Sequence, residues 1–163
     1  MQERLIRAMN EAVAEVFATC LLCEVHPADT VGNDPPVHPV QDDLDMVSLV
    51  SYGGALDGEL HLLASREVVL DLAGRLVGAR LTRLDEEATD AFGELANLVA
   101  GGVQARLEAD LGSITLSTPT VLQGAGLRAR TLVEPSQVVR RFVCDDGVLQ
   151  VICFFRPRDS AVY

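Results

Sequence analysis

Residues 85–112 read DEEATDAFGELANLVAGGVQARLEADLG, and the architecture turns on this stretch. Asp85-Glu86-Glu87 suits a helix start, because carboxylates oppose the positive end of the helix macrodipole, and Gly112 can end a helix that runs to about Asp110. Ala88, Phe92, Leu95, Ala96, Val99 and Val103 recur at three and four residues, an apolar stripe that has to be buried against a sheet. At about 100° per residue, Asp90, Glu94, Asn97 and Gly101 fall within a second stripe roughly 60° wide, which then points outward. Gly101-Gly102 inside the helix costs about 1 kcal/mol per glycine relative to alanine. Bare backbone at Gly101 either lets another molecule approach beside Glu94 and Asn97 or makes a packing notch for a neighbouring helix or strand.

Upstream, Leu5, Met9, Ala12, Val13, Val16, Phe17 and Cys20 mark one apolar face of a first helix from Arg4 to Leu22. Between His26 and Asp45, four prolines, Gly32, Asn33 and four aspartates predict a long surface loop. Asp45 to Tyr52 and Glu59 to Ala64 read as antiparallel strands joined through Gly53-Gly54-Ala55-Leu56-Asp57-Gly58. Ser65 is placed as the N-cap of a short second helix that Gly78 ends. Downstream of the 85–112 helix, alternation predicts strands at Ser113 to Leu122, Leu127 to Glu134, Gln137 to Cys144 and Val148 to Phe155, the last two a hairpin. Each long helix thus precedes a run of strands. The chain, 1–163, reads as a single α+β domain: two layers, a mostly antiparallel sheet with two long helices and one short one, and a degenerate internal duplication.

Length and composition suit a compact chain with its own core: 163 residues, 48% hydrophobic and 23% charged. The net charge is −11, and the 13 basic residues are scattered arginines without the clustering that a phosphate-tracking groove needs, so nucleic acid is not expected as a partner. An acidic surface can instead steer the protein towards a basic patch on another protein. No apolar run reaches the roughly 18 residues that span a bilayer, and Met1-Gln2-Glu3-Arg4 lacks the layout of a signal peptide. A cytoplasmic protein with reduced Cys20, Cys23, Cys144 and Cys153 is expected.

On spacing alone, Glu94 and Asn97 are most simply a solvated helix face. The wider pattern is more specific. Asp90-x3-Glu94-x2-Asn97, followed at a distance by Pro119, resembles the phosphatase signature of the CheC/CheX/FliY family. So do Gly93-Glu94-Leu95-Ala96-Asn97 with Gly101, Ser117-Thr118-Pro119-Thr120-Val121 with Gly124, Gly58-Glu59-Leu60 and Gly78. The likeness extends from Arg4 to Phe155. It implies a phosphatase that hydrolyses the aspartyl phosphate of a CheY-like response regulator in chemotaxis or two-component signalling. Glu94 would pair with the regulator's lysine and Asn97 would hold the attacking water, with Asp90, Gly101 and Pro119 in substrate or partner binding. No cofactor or metal of its own is implied, since Mg²⁺ comes with the regulator.

Two-site members carry the signature twice, whereas the first helix here has Asn10 with Arg7 in place of a glutamate three residues before it. One site per chain is therefore expected, and the likeness to single-site CheX-like members implies a homodimer. The alternative is a non-catalytic CheX-like dimeric adaptor that binds a signalling partner.

Other candidates carry less. The Cys20-x2-Cys23 and Cys144/Cys153 spacings do not match a zinc ribbon, and the first pair ends a helix rather than starting one, unlike a redox motif. His26, His38 and His61 come with no nucleophile and acid in a triad pattern. Asp42, Asp43 and Asp45 do not match a calcium loop and read as a solvated acidic run.

Overall fold

The computed structural model describes residues 1–28, 44–127, 136–145 and 147–156. The expected strand over 127–134 lies outside the described residues but for its first position, as does most of the proline-rich segment. Helix α1 spans Gln2–Val16 and continues as a π-helical turn, Phe17–Leu21, that ends at Leu22 in the left-handed region with φ 52°. Strands β1 (His26–Pro27), β2 (Met46–Gly54) and β3 (Asp57–Ala64) follow, then α2 (Arg66–Val77) and α3 (Glu86–Leu111). The chain closes with β4 (Ile114–Leu116), β5 (Thr120–Gln123), β6 (Ser136–Cys144) and β7 (Gly147–Arg156).

Among the described residues the seven strands form one sheet in the order β1-β6-β7-β3-β2-β4, every pairing antiparallel, with β5 also on β2. The duplication expected from the sequence is visible in this order. Hairpins β2–β3 and β6–β7 meet at the centre through β3 and β7. The strand after each long helix crosses to the other half, β1 to β6 and β4 to β2. That exchange corrects the loop expected from His26 onwards. His26 and Pro27 pair with Val143 and Phe142, because a sheet edge with open N–H and C=O groups lies where the first helix delivers the chain.

The helices cover one face of the sheet. Phe92, Leu95, Ala96, Val99 and Val103 of α3 and Leu5, Met9, Ala12 and Val13 of α1 pack with Met46, Val50, Leu60, Leu62, Val138, Phe142, Val151 and Cys153. Each fully buried large side chain of this kind contributes about 1.5–3 kcal/mol. All six apolar residues expected on the inner face of α3 are buried. On the other face of the sheet Leu44, Val47, Leu63, Ile152 and Phe154 make a smaller cluster, where buried His61 meets Phe154 edge-on at 4.9 Å.

The helix ends hold one surprise. Ser65 occupies the N-cap of α2 but its hydroxyl caps nothing; the Asp45 carboxylate accepts from the Arg66 N–H at 2.7 Å instead. Asp45 belongs to the acidic run before β2, and a cap supplied from 21 residues away leaves no mark in local spacing. Gly78 ends α2 at φ 71°, as its position predicted. On α3 Asp85 is the N-cap, accepting from the Ala88 N–H at 3.1 Å.

Candidate functional site

The buried stripe of α3 fixes how the rest of the helix faces. Asp90 and Glu94 are exposed, while Asn97 and Gly101 are half-buried on the same side. None of Asp90, Glu94 and Asn97 makes a side-chain hydrogen bond or ion pair with any described residue. The two glycines separate cleanly. A Cβ at Gly101 would meet nothing within 4 Å, whereas one at Gly102 would lie 2.9 Å from the Ala12 Cβ. Gly102 is thus the notch where α1 crosses α3, and Gly101 leaves bare backbone in line with Glu94 and Asn97.

Pro119 arrives from the sheet edge. The single strand expected over Ser113 to Leu122 is two strands, β4 at one end of β2 and β5 at the other, with Ser117-Thr118-Pro119 between them. Proline has no N–H to give the ladder. Ser117 bridges the break: its N–H donates to the Ser51 carbonyl at 3.0 Å and its hydroxyl accepts from the Ser51 N–H at 2.9 Å. The bulged segment lands on α3 at Gly93, where a Cβ would lie 3.2 Å from Val121 Cγ2 and 3.7 Å from Pro119 Cγ. Pro119 therefore sits one helical turn from Asn97. In the sequence Gly93, Ser117 and Val121 stand only as parts of a motif, and the break that a proline forces in a strand is the signal for their packing.

Electrostatics narrow what this face can meet. A shallow groove beside the stripe has Leu76, Val77 and Ala91 as its apolar part and Glu86, Glu87, Asp90 and Glu94 as its polar part, with no basic residue among them. A free phosphate would be repelled by such a rim. A phosphoryl group that brings cations of its own is better matched to such a rim. Among the described residues no three His, Cys, Asp or Glu side chains are placed to hold a metal ion.

Residues 46–142, more than half of the chain, match the family model of the chemotaxis phosphatase CheX. The protein belongs to that family. A curated relative, the CheY-P phosphatase CheX of Thermotoga maritima, is 26% identical over 132 residues, covering 80% of this chain and 83% of that one. The crystal structure of the chemotaxis protein CheX from Vibrio vulnificus superposes with a TM-score of 0.77 at 24% identity, covering 93% of this chain and 96% of that one. A chain of the CheX–CheY–BeF3–Mg²⁺ complex from Borrelia burgdorferi gives 0.71 at 17% identity, covering 93% of this chain and 97% of that one. These two superpositions show a shared fold.

Within that family fold, α1 stands where α3 stands in the other half of the duplication. Arg7 is exposed and Asn10 half-buried on α1, the same pattern as Glu94 and Asn97. Asn10 differs in being engaged: its Oδ1 accepts from Arg140 Nε of β6 at 2.9 Å. The α1 face thus lacks a carboxylate at position 7 and holds its amide against the sheet.

The cysteines stay out of the site. All four are free thiols, two of them buried. Burial pushes the Cys153 thiol up to about 12 and raises Cys23, the latter against a lowering by the Arg75 guanidinium. Neither is poised as a thiolate nucleophile at neutral pH. The structure also places Cys20 in the π-helical turn and Cys23 beyond it, at the end of the first helix.

Proposed function

We propose that the protein hydrolyses the aspartyl phosphate of a CheY-like response regulator, with Glu94 pairing to the regulator's lysine and Asn97 holding the attacking water. The observation that carries this reading is an exposed carboxylate and a half-buried amide, three residues apart on one helix face, neither engaged by a described residue. Membership of a chemotaxis phosphatase family supports it, as does the relative described as a CheY-P phosphatase.

The chemistry needs little from this chain. The water oxygen attacks phosphorus in line, the bond from phosphorus to the aspartyl oxygen breaks, and the regulator's carboxylate leaves. The regulator supplies its acidic pocket, its lysine and Mg²⁺, which offset the phosphoryl charge. An amide can accept from and donate to the water without adding a charge that repels the phosphoryl oxygens. If positioning contributes a factor of roughly 10²–10³, the barrier falls by about 3–4 kcal/mol, within what orientation can supply. Asp90, bare Gly101 and Pro119 border the pair and serve docking. The engaged Asn10 and Arg7 on α1 support one site per chain; a homodimer and a cytoplasmic location complete the reading.

The test follows the lifetime of phosphorylated regulators from the same genome, with and without the protein. Wild type should shorten it, and Asn97→Ala and Glu94→Ala should each abolish the effect. Lifetimes unchanged by wild type, with binding retained, would replace the phosphatase by a non-catalytic adaptor.

A further inference from the structure

We infer that Gly93 is a positioning residue for Asn97: the missing side chain lets Val121, and with it the neighbouring Pro119, close on α3 beside the amide, so that the broken sheet edge forms one wall of the site. The inference rests on the phosphatase reading above.

Three observations meet here. Gly93 is buried on a helix where glycine costs about 1 kcal/mol relative to alanine, with no turn or positive φ to require it. Its Cβ position is filled from outside the helix: Val121 Cγ2 would be 3.2 Å away, and Pro119 Cγ and Cβ 3.7 and 3.8 Å. Finally, Ser117 holds the bulge in register, its hydroxyl taking over the Ser51 N–H that a continuous strand would have bonded.

Gly93 and Asn97 are four residues apart, so their side-chain directions lie one above the other on the helix. Glu94 is turned about 100° from Gly93, away from the Pro119 side. The wall therefore flanks the amide rather than the carboxylate, which fits the half-buried state of Asn97 beside exposed Glu94. A rigid proline ring there limits the directions the amide can take and leaves a narrower space for the water it holds. A methyl at position 93 would press on Val121 Cγ2, which has to give by a few tenths of an ångström and shifts the segment that carries Pro119, while it would meet Pro119 itself at ordinary van der Waals distance.

The experiment measures kcat and KM for dephosphorylation of the phosphorylated regulator by full-length variants, beside their thermal unfolding. Gly93→Ala should lower kcat about tenfold with KM changed less than about threefold, because a shift of a few tenths of an ångström misplaces the water beside Asn97 while Asp90, Gly101 and Pro119 still border the site for docking. Val121→Ala removes the methyl in closest contact, so Gly93→Ala/Val121→Ala should recover kcat to within about threefold of Val121→Ala alone, and it supplies a soluble protein if the single variant folds poorly. Gly102→Ala is the structural control: it crowds Ala12 at the α1 crossing, so it should lower the unfolding temperature and leave kcat within about twofold. Wild-type kcat in Gly93→Ala, or a folded double variant with no recovery, would overturn the inference while Asn97→Ala still abolished turnover. Retained turnover in Asn97→Ala would overturn the site reading and this inference with it.

Discussion

Tyr52→Phe isolates one bond that ties the candidate helix to the sheet. The Tyr52 ring is 3% exposed on β2 and its hydroxyl donates to the Ala100 carbonyl of α3 at 3.2 Å, one residue before Gly101. Phenylalanine keeps the ring and removes only the O–H. The Ala100 carbonyl lies inside Glu86–Leu111 and retains the helical N–H of Gln104, so no buried acceptor is orphaned. The loss is therefore the net value of one hydrogen bond, about 0.5–1.5 kcal/mol, and the 3.2 Å length, long for an O–H donor, puts it in the lower half of that range. For a chain of this size that is a fall of roughly 1–4 °C in Tm. The protein has no tryptophan, so urea unfolding is best followed by far-UV circular dichroism. The midpoint should fall with the slope unchanged. Turnover should stay within about twofold, because Phe92, Leu95, Ala96 and Val99 still seat the helix. A loss above about 2 kcal/mol would mean that the carbonyl had lost its only partner, and no loss at all that the hydroxyl bond is not made; either result refutes the argument.

Ser48→Ala should stabilise the protein by about 1 kcal/mol, since the Ser48 hydroxyl is fully buried on the helix side of β2 without a hydrogen-bond partner among the described residues. A lower Tm in the variant would show the hydroxyl to be engaged. Stability should also fall in alkali. Burial holds the Cys153 thiol at about 12, against 9.0 in the ordinary state, so the folded chain keeps a proton that the unfolded chain gives up. The contribution is intact below pH 9 and is lost as pH rises from about 9 towards 12, at up to about 1.4 kcal/mol per unit. The Tyr52 phenol, raised well above 10.0 by burial, acts in the same direction. Urea midpoints that stay level from about pH 8 to 10.5 would contradict this, and Cys153→Ala should flatten the slope.

Much of this protein follows from periodicity. The three-and-four spacing of Ala88, Phe92, Leu95, Ala96, Val99 and Val103 fixed which side of α3 is buried, and so which way Asp90, Glu94 and Asn97 face, because a helix turns by a constant angle whatever surrounds it. The β2–β3 and β6–β7 hairpins were equally legible, being local and marked by alternation and turn residues. The family resemblance, read from Glu94, Asn97, Pro119 and the glycines around them, is matched by the family model.

What local pattern could not supply is anything in which two distant segments meet. Sequence put Gly101 on the outward stripe but left open whether it was a packing notch, and only the crossing of α1 at Ala12 makes Gly102 the notch and leaves Gly101 bare. A continuous strand was expected over Ser113 to Leu122; the break at Ser117–Pro119 becomes visible when Ser51 of β2 shows which ladder bonds Ser117 replaces. Asp45 as the cap of α2 and Arg140 as the partner of Asn10 depend on contacts across 21 and 130 residues. Side-chain identity and helical phase set the direction of each group along its own element, while the distance between elements is set by packing of the whole core. That distance puts Pro119 against Gly93, one turn from Asn97.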